Sequence, residues 1–149
     1  MTIYFYATHG PYGCFSNFSS HPVKIGGKEW PTTEHYFQAQ KFAGTEHEGE
    51  IRRAAGPMVA ARMGRSRARP LRKDWEKVKD DVMRTAVEAK VRQHDDVRQA
   101  LLGTGEEDIV EAAQGDSYWG YGPDGKGRNQ LGKILMEIRA KLVAEAAGV

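Results

Sequence analysis

Disulfides are excluded at once. The chain has a single cysteine, Cys14, so no intrachain bridge can form, and a lone thiol fits a reducing compartment. Long apolar runs are missing too, since no stretch approaches the roughly 20 residues of a membrane span. The opening residues M-T-I-Y-F-Y-A-T-H-G carry no basic segment ahead of an apolar one. A cytoplasmic protein is therefore expected. Metal-ligand spacing is also lacking. His9, His21, His35, His47 and His94 are scattered, with no HxxxH and no CxxC, so no metal ligands are proposed. His35 and His47 read as helix-surface histidines. There is no Walker loop and no G-x-G-x-x-G after a strand, which removes the ordinary NTPase and Rossmann readings. Internal repeats and low-complexity linkers are absent. So is a large charge of one sign: 22 basic against 20 acidic residues leave a net charge of +2, too little for bulk coating of nucleic acid.

What is present is an ordinary globular composition, 40% hydrophobic and 28% charged in 149 residues. That is one domain's worth of chain with a proper core. The most informative stretch is Trp30 to Ala43, W-P-T-T-E-H-Y-F-Q-A-Q-K-F-A. Thr32 or Thr33 can N-cap a helix, Glu34 then suits the first turn, and Gly44 is a C-cap candidate. At about 100° per residue, Tyr36, Ala39 and Ala43 share one side, while Glu34, Gln38 and Lys41 align at i, i+4 and i+7 on the other. That stripe is either a solvated Glu–Gln–Lys surface or a carboxylate and an amine about 10 Å apart along the axis, aimed into a cleft.

The rest of the chain reads as follows. Residues 2–7 are a strand. His9 to Gly13 is turn chemistry, followed by C-F-S-N-F-S-S, where Ser16 and Asn17 cap backbone or touch a ligand. Residues 22–30 form a hairpin turning at Gly26–Gly27, with Val23, Ile25 and Trp30 inward. A short helix occupies 45–55. Pro57 starts another, with Val59 and Met63 as core candidates. Six of the twelve residues from Arg62 to Lys73 are basic (Arg62, Arg65, Arg67, Arg69, Arg72 and Lys73). Arginine forks match phosphate geometry. Asp74 is placed to N-cap a long helix over 75–93, with Trp75, Val78, Val82, Ala86 and Ala89 as its apolar stripe. A short helix from Asp95 to Leu102 and a short strand from Ile109 to Ala112 follow. The segment 114–130, Q-G-D-S-Y-W-G-Y-G-P-D-G-K-G-R-N-Q, has five glycines, two tyrosines and a tryptophan. It reads as a binding loop leading into a last helix from Arg128 to about Ala146, and a helix N-terminus is a ready anion site. A phosphate clamp, a stacking surface and one or two carboxylates are the parts needed to cleave an N-glycosidic bond.

F-S-N-F (Phe15 to Phe18), W-P-T-T-E-H-Y-F-Q-A-Q-K-F (Trp30 to Phe42), Asp74–Trp75 with Met83, and D-S-Y-W-G-Y-G through G-R-N-Q-L-G-K-I-L (Asp116 to Leu135) occur in that order. On these four motifs the sequence resembles the NADAR (YbiA-like) domain family over nearly its whole length. The resemblance implies a mostly helical α+β fold with a small N-terminal β element, a single compact domain over residues 1–149. It implies N-glycosidase activity on ribosyl compounds without a metal or redox cofactor. The substrate is then a small ribosyl phosphate or ADP-ribose compound. Two classes are associated with the family: ADP-ribose on guanine in DNA or RNA, and phosphoribosylamino-pyrimidine intermediates of riboflavin synthesis. The slight lean is to ADP-ribose, on the charge count of the basic segment. Glu34, Lys41 and Asp116 are the candidate catalytic residues. Asn17, Gln38, Arg69, Trp75, Trp119, Gly120 and Asn129 are the candidate substrate contacts. Glu34 or Asp116 acts as general base or electrostatic stabiliser, Lys41 steadies the departing group or forms a Schiff base, and Trp119 or Trp75 stacks on the base or borders the ribose. A non-catalytic reader of ADP-ribose and an RNA- or DNA-binding module remain as alternatives of other classes. Oligomeric state is left open.

Overall fold

The computed structural model describes residues 1–148. Ten regular elements run in the order β1 (Thr2–Phe5), β2 (Val23–Ile25), β3 (Lys28–Trp30), α1 (Thr33–Gln40), α2 (Glu46–Arg52), α3 (Pro57–Arg65), α4 (Trp75–Gln93), α5 (Asp95–Gly103), β4 (Asp108–Glu111) and α6 (Gln130–Ala146). The class is mostly helical α+β, as the sequence suggests. The chain forms two compact units, one of residues 17–93 and one of residues 1–16 with 94 onward.

The unit of residues 17–93 begins with the β2–β3 hairpin, Val23 opposite Trp30. Its turn is Gly26–Gly27, both at positive φ (63° and 77°), a two-residue geometry that glycine adopts without steric cost. Trp30 leads into α1. The Thr32 hydroxyl caps that helix by accepting from the His35 amide. Thr45 caps α2 in the same way, through the His47 amide. Pro57 opens α3 at its first turn, where a missing N–H costs nothing. The core is Val23, Trp30, Ala39, Phe42, Ile51 and Ala60, with Ile25, Tyr36, Ala54, Met63 and Ala89 packed against it. Each large side chain removed from water there contributes roughly 1.5–3 kcal/mol.

Three expectations about this unit need correction. Val59 is 38% exposed, and α3 buries Ala60, Ala61 and Gly64 instead. Small residues let α3 lie close on α1: a Cβ on Gly64 would overlap the Gln38 side chain. In α4 the buried face is Trp75, Met83, Ala86, Val87, Lys90 and Val91, with Val78 and Val82 only half-buried. Lys90 interrupts the apolar pattern yet is buried, its Nζ donating to Ser19 Oγ at 3.1 Å. His35 is not a surface histidine. It is 1% exposed, with Nδ1 2.8 Å from Thr32 Oγ1 and Nε2 3.1 Å from the Ala54 carbonyl. A carbonyl only accepts, so Nε2 carries the proton and Nδ1 accepts from the hydroxyl. Burial holds the His35 pKa below its ordinary value, which keeps the ring neutral.

In the other unit β1 pairs in parallel with β4, Thr2 with Asp108 through Phe5 with Glu111. The N-terminal strand therefore finds its partner more than 100 residues later in the chain. The last helix begins at Gln130 rather than Arg128. Its stripe, Leu131, Ile134, Leu135, Ile138 and Leu142, is fully buried, as a 3.6-residue period demands. Gly132 lies where a Cβ would overlap the Ile109 carbonyl, so the helix packs closely on β4. Arg139, 9% exposed, donates to Thr104 Oγ1 at 2.8 Å and to the Glu107 carbonyl at 2.7 Å. Among the described residues no helix is long and apolar enough to cross a membrane.

Candidate active site

The polar stripe of α1 is not solvated. Glu34, Gln38 and Lys41 are 6%, 4% and 7% exposed. Burying three polar side chains on one helix face is costly unless each is satisfied or each has work to do. Glu34 Oε2 accepts from Gln38 Nε2 at 2.8 Å, the i,i+4 contact that the helix geometry provides. The Glu34 amide is also tied down, donating to the Asn17 carbonyl at 3.2 Å.

Lys41 follows the last turn of α1, and its carbonyl accepts from the Arg72 amide. Its Nζ reaches the Gly64 carbonyl at 3.4 Å, a long contact, and lies 5.8 Å from the ring centroids of both Phe37 and Trp75. Those two rings meet edge-to-face at 5.1 Å and wall the amine. Burial is the chief reason that the Lys41 pKa falls from 10.5 to about 8. Arg67, Arg65 and Lys79 push it further down, and Glu34 pulls the other way. At pH 7 about a tenth of the amine is then neutral, against about one part in 3,000 for an ordinary lysine. A neutral amine beside a carboxylate is a nucleophile with a base at hand.

Next to it stands the basic segment. Arg67 Nη1 donates to the same Gly64 carbonyl at 3.3 Å. Arg62, Arg65, Arg67 and Lys73 are exposed and are available to phosphate oxygens. Arg72 is committed elsewhere, gripping Asp74 at 2.6 and 3.0 Å and the Gln40 carbonyl at 3.2 Å. The pair holds the Asp74 carboxyl below its ordinary pKa, and the helix start uses the Asp74 carbonyl, which accepts from Lys77 and Val78. Arg69 is half-buried, with Nε 3.9 Å from Glu50 Oε1.

Asn17, Glu34, Gln38, Lys41, Arg69 and Trp75 thus all lie in the unit of residues 17–93. Asn17 has a structural task there. Its Oδ1 accepts from Thr33 Oγ1 at 2.7 Å and its Nδ2 points at Met83 Sδ at 3.4 Å, pinning its loop to α1 and α4. Trp75, 5% exposed, stands beside Phe37 and the Lys41 amine. Asp116, Trp119, Gly120 and Asn129 belong to the other unit. Asp116 Oδ1 accepts from the amides of Tyr118 and Trp119, both at 2.9 Å. Trp119 packs edge-on against Tyr118 at 4.8 Å. A Cβ on Gly120 would come within 2.9 Å of Ala113 Cβ and the Asp116 carbonyl. Asn129 sits at φ +52°, bridging the Glu111 amide and the Ile109 carbonyl at 2.9 Å each.

Sequence reasoning missed Gly64 and Phe37 as neighbours of the amine. Phe37 lies four residues before Lys41, a spacing that could have found it. Gly64 gave no signal beyond being a glycine inside a helix.

A family model described as NADAR domain matches residues 4–143 of the chain. N-glycosidase YbiA of Escherichia coli strain K12 is 55% identical over 143 residues, covering 96% of this chain and 89% of that protein. The chloroplastic riboflavin biosynthesis protein PYRR of Zea mays is 38% identical over 156 residues, covering 95% of this chain but 25% of that protein. The NMR structure of the E. coli protein YbiA superposes with a TM-score of 0.90 at 54% identity, covering 98% of this chain and 87% of that one.

Proposed function

The chain belongs to the NADAR domain family and is a hydrolase acting on N-glycosyl bonds, and from that premise we propose that it removes ADP-ribose from ADP-ribosylated guanine in nucleic acid, with Lys41 as nucleophile. The observation that carries the proposal is the buried Lys41 amine, with its pKa near 8, beside Glu34 and the exposed arginines. The neutral amine attacks C1′ of the ribosyl group. The C1′–N bond breaks, and its electron pair leaves with the base, which takes up a proton. The amine loses a proton to Glu34; the C1′–O4′ bond then breaks to leave a Schiff base between C1′ and Nζ, and the ring oxygen takes the proton from Glu34. Water then adds to C1′, releasing the free sugar and restoring the amine. Arg62, Arg65, Arg67 and Lys73 suit a pyrophosphate better than a single phosphate, by charge count.

A second substrate reading is favoured by one observation, the likeness to a maize protein of riboflavin biosynthesis: phosphoribosylamino-pyrimidine intermediates of riboflavin synthesis. A product assay by mass spectrometry separates the two. The protein is incubated with ADP-ribosylated guanine DNA and, separately, with the pyrimidines, alongside Glu34→Gln. Free ADP-ribose, reduced in the variant, is the expected result. Cleavage of the pyrimidines alone would move the enzyme to metabolite clearance.

A further inference from the structure

One atom in the α1 stripe has no use in the protein. Gln38 Oε1 is buried and no donor among the described residues reaches it. The carboxamide has no freedom to turn away. Its Nε2 is held by Glu34 Oε2 at 2.8 Å, and exchanging the amide's N and O would set an acceptor against the carboxylate. On its other side Gly64 is pressed against it so closely that even one methyl group would overlap Oε1. Glu34 thus sets the direction of an acceptor with spare capacity that has no exposed surface in the free protein, so a donor reaches it only as the side chains around it part. Buried acceptors nearly always find a partner in protein, ordered water or ligand, and the place of this one points to a ligand. The place of this acceptor narrows the donor. Gly64 is also the residue whose carbonyl receives the Lys41 amine, so Oε1 and Nζ flank the same short stretch of backbone. A sugar presenting C1′ to Nζ carries its 2′-hydroxyl on the adjacent carbon.

We infer that Gln38 Oε1 accepts a hydrogen bond from the 2′-hydroxyl of the ribose whose C1′ bears the scissile bond, so that Gln38 discriminates ribosides from 2′-deoxyribosides. The inference rests on Lys41 attacking C1′. It has a consequence for a substrate in DNA. An ADP-ribosylated guanine carries two N-glycosidic bonds, one to the ribose of ADP-ribose and one to the deoxyribose of the strand. Only the first offers the hydroxyl that Gln38 requires, so the base modification is removed and the strand is not depurinated.

The test compares wild type with Gln38→Met, which keeps the volume beside Gly64 and removes the acceptor. Each is assayed on the N-ribosyl guanine adduct and on its 2′-deoxyribosyl counterpart. A 2′-deoxy bond is intrinsically more labile, so the readout is the ratio of the two kcat/KM values, ribo over deoxy, compared between the proteins. A site built to bond a hydroxyl rejects the analogue that lacks it. The expected ratio in wild type exceeds that in Gln38→Met by about 100-fold. Turnover with equal ratios in the two proteins would overturn the inference alone. Absence of turnover on either substrate by wild type would overturn the proposed function and take this inference with it. A second measurement needs no variant: wild type should bind ADP-ribose at least about 10-fold more tightly than its analogue lacking the 2-hydroxyl on the terminal ribose. Equal affinities would overturn the role of Gln38 even if Gln38→Met fails to fold.

Discussion

Two stretches carry most of the polar and aromatic chemistry of this chain, the α1 stripe and the glycine-rich loop at 114–130, and they use it in opposite ways. In the loop, polar side chains are spent on the backbone. Asp116 serves two amides, and Asn129 bridges two strand groups of β4. Gly120 is small because Ala113 and the Asp116 carbonyl leave no room for a side chain. In α1 the balance is reversed. Gln38 keeps an unpaired acceptor, and Lys41 has a long contact with one carbonyl and an amine driven toward neutrality. Folding alone does not require such residues, since apolar side chains of the same shape would fill the space at lower cost. Unspent capacity in a buried polar group therefore marks chemistry more clearly than residue type does.

The contrast can be broken at either end. The largest effect is expected from Lys41→Met. It removes the proposed nucleophile and keeps the length of the apolar stem that carries it, so kcat/KM should drop by about 10⁴ or more with the melting temperature unchanged or raised. In wild type, kcat/KM should climb about tenfold per pH unit up to pH 8 and then level off, because deprotonation of Lys41 makes the nucleophile. A flat profile from pH 6 to 9 would argue against it. Glu34→Gln comes next, at roughly 10²-fold in kcat. Its amide oxygen can still accept from Gln38, so stability measured by urea titration should barely move.

The loop should respond in stability and not in chemistry. Asn129→Ala leaves the Glu111 amide and Ile109 carbonyl without their bridge and forces alanine into a left-handed conformation. The expected loss is about 2–3 kcal/mol by chemical denaturation, with the folded fraction still turning over. Asp116→Asn is the smallest and most pointed change. An asparagine oxygen can accept from both amides, so stability should stay within about 0.5 kcal/mol and turnover within about threefold. A large loss of kcat would make the Asp116 carboxylate catalytic.

Local signals were legible before the structure. The helix starts at Thr32 and Pro57 follow from capping and first-turn chemistry, and the α6 stripe follows from its period. The Gly26–Gly27 turn is readable for the same reason, since it depends only on its neighbours. What was not legible depends on partners distant in sequence. The α1 stripe has the same spacing whether α3 and the basic segment cover it or leave it in water, and the Gly64 carbonyl that meets Lys41 lies 23 positions away. His35 looks like a surface residue until the Ala54 carbonyl is set against it. The parallel pairing of β1 with β4 leaves no mark in either strand. For the site, residue types at Glu34, Gln38 and Lys41 could be named from the helix. Their burial, and the spare acceptor on Gln38, could not.

The most direct test is reductive trapping. Wild type and Lys41→Met are incubated with ADP-ribosylated guanine DNA in the presence of borohydride, and the protein is examined by intact mass and peptide mapping. The expected result is a single ADP-ribosyl adduct on Lys41 in wild type and none in the variant. Continued turnover by wild type with no adduct on Lys41 would contradict the amine's role as nucleophile.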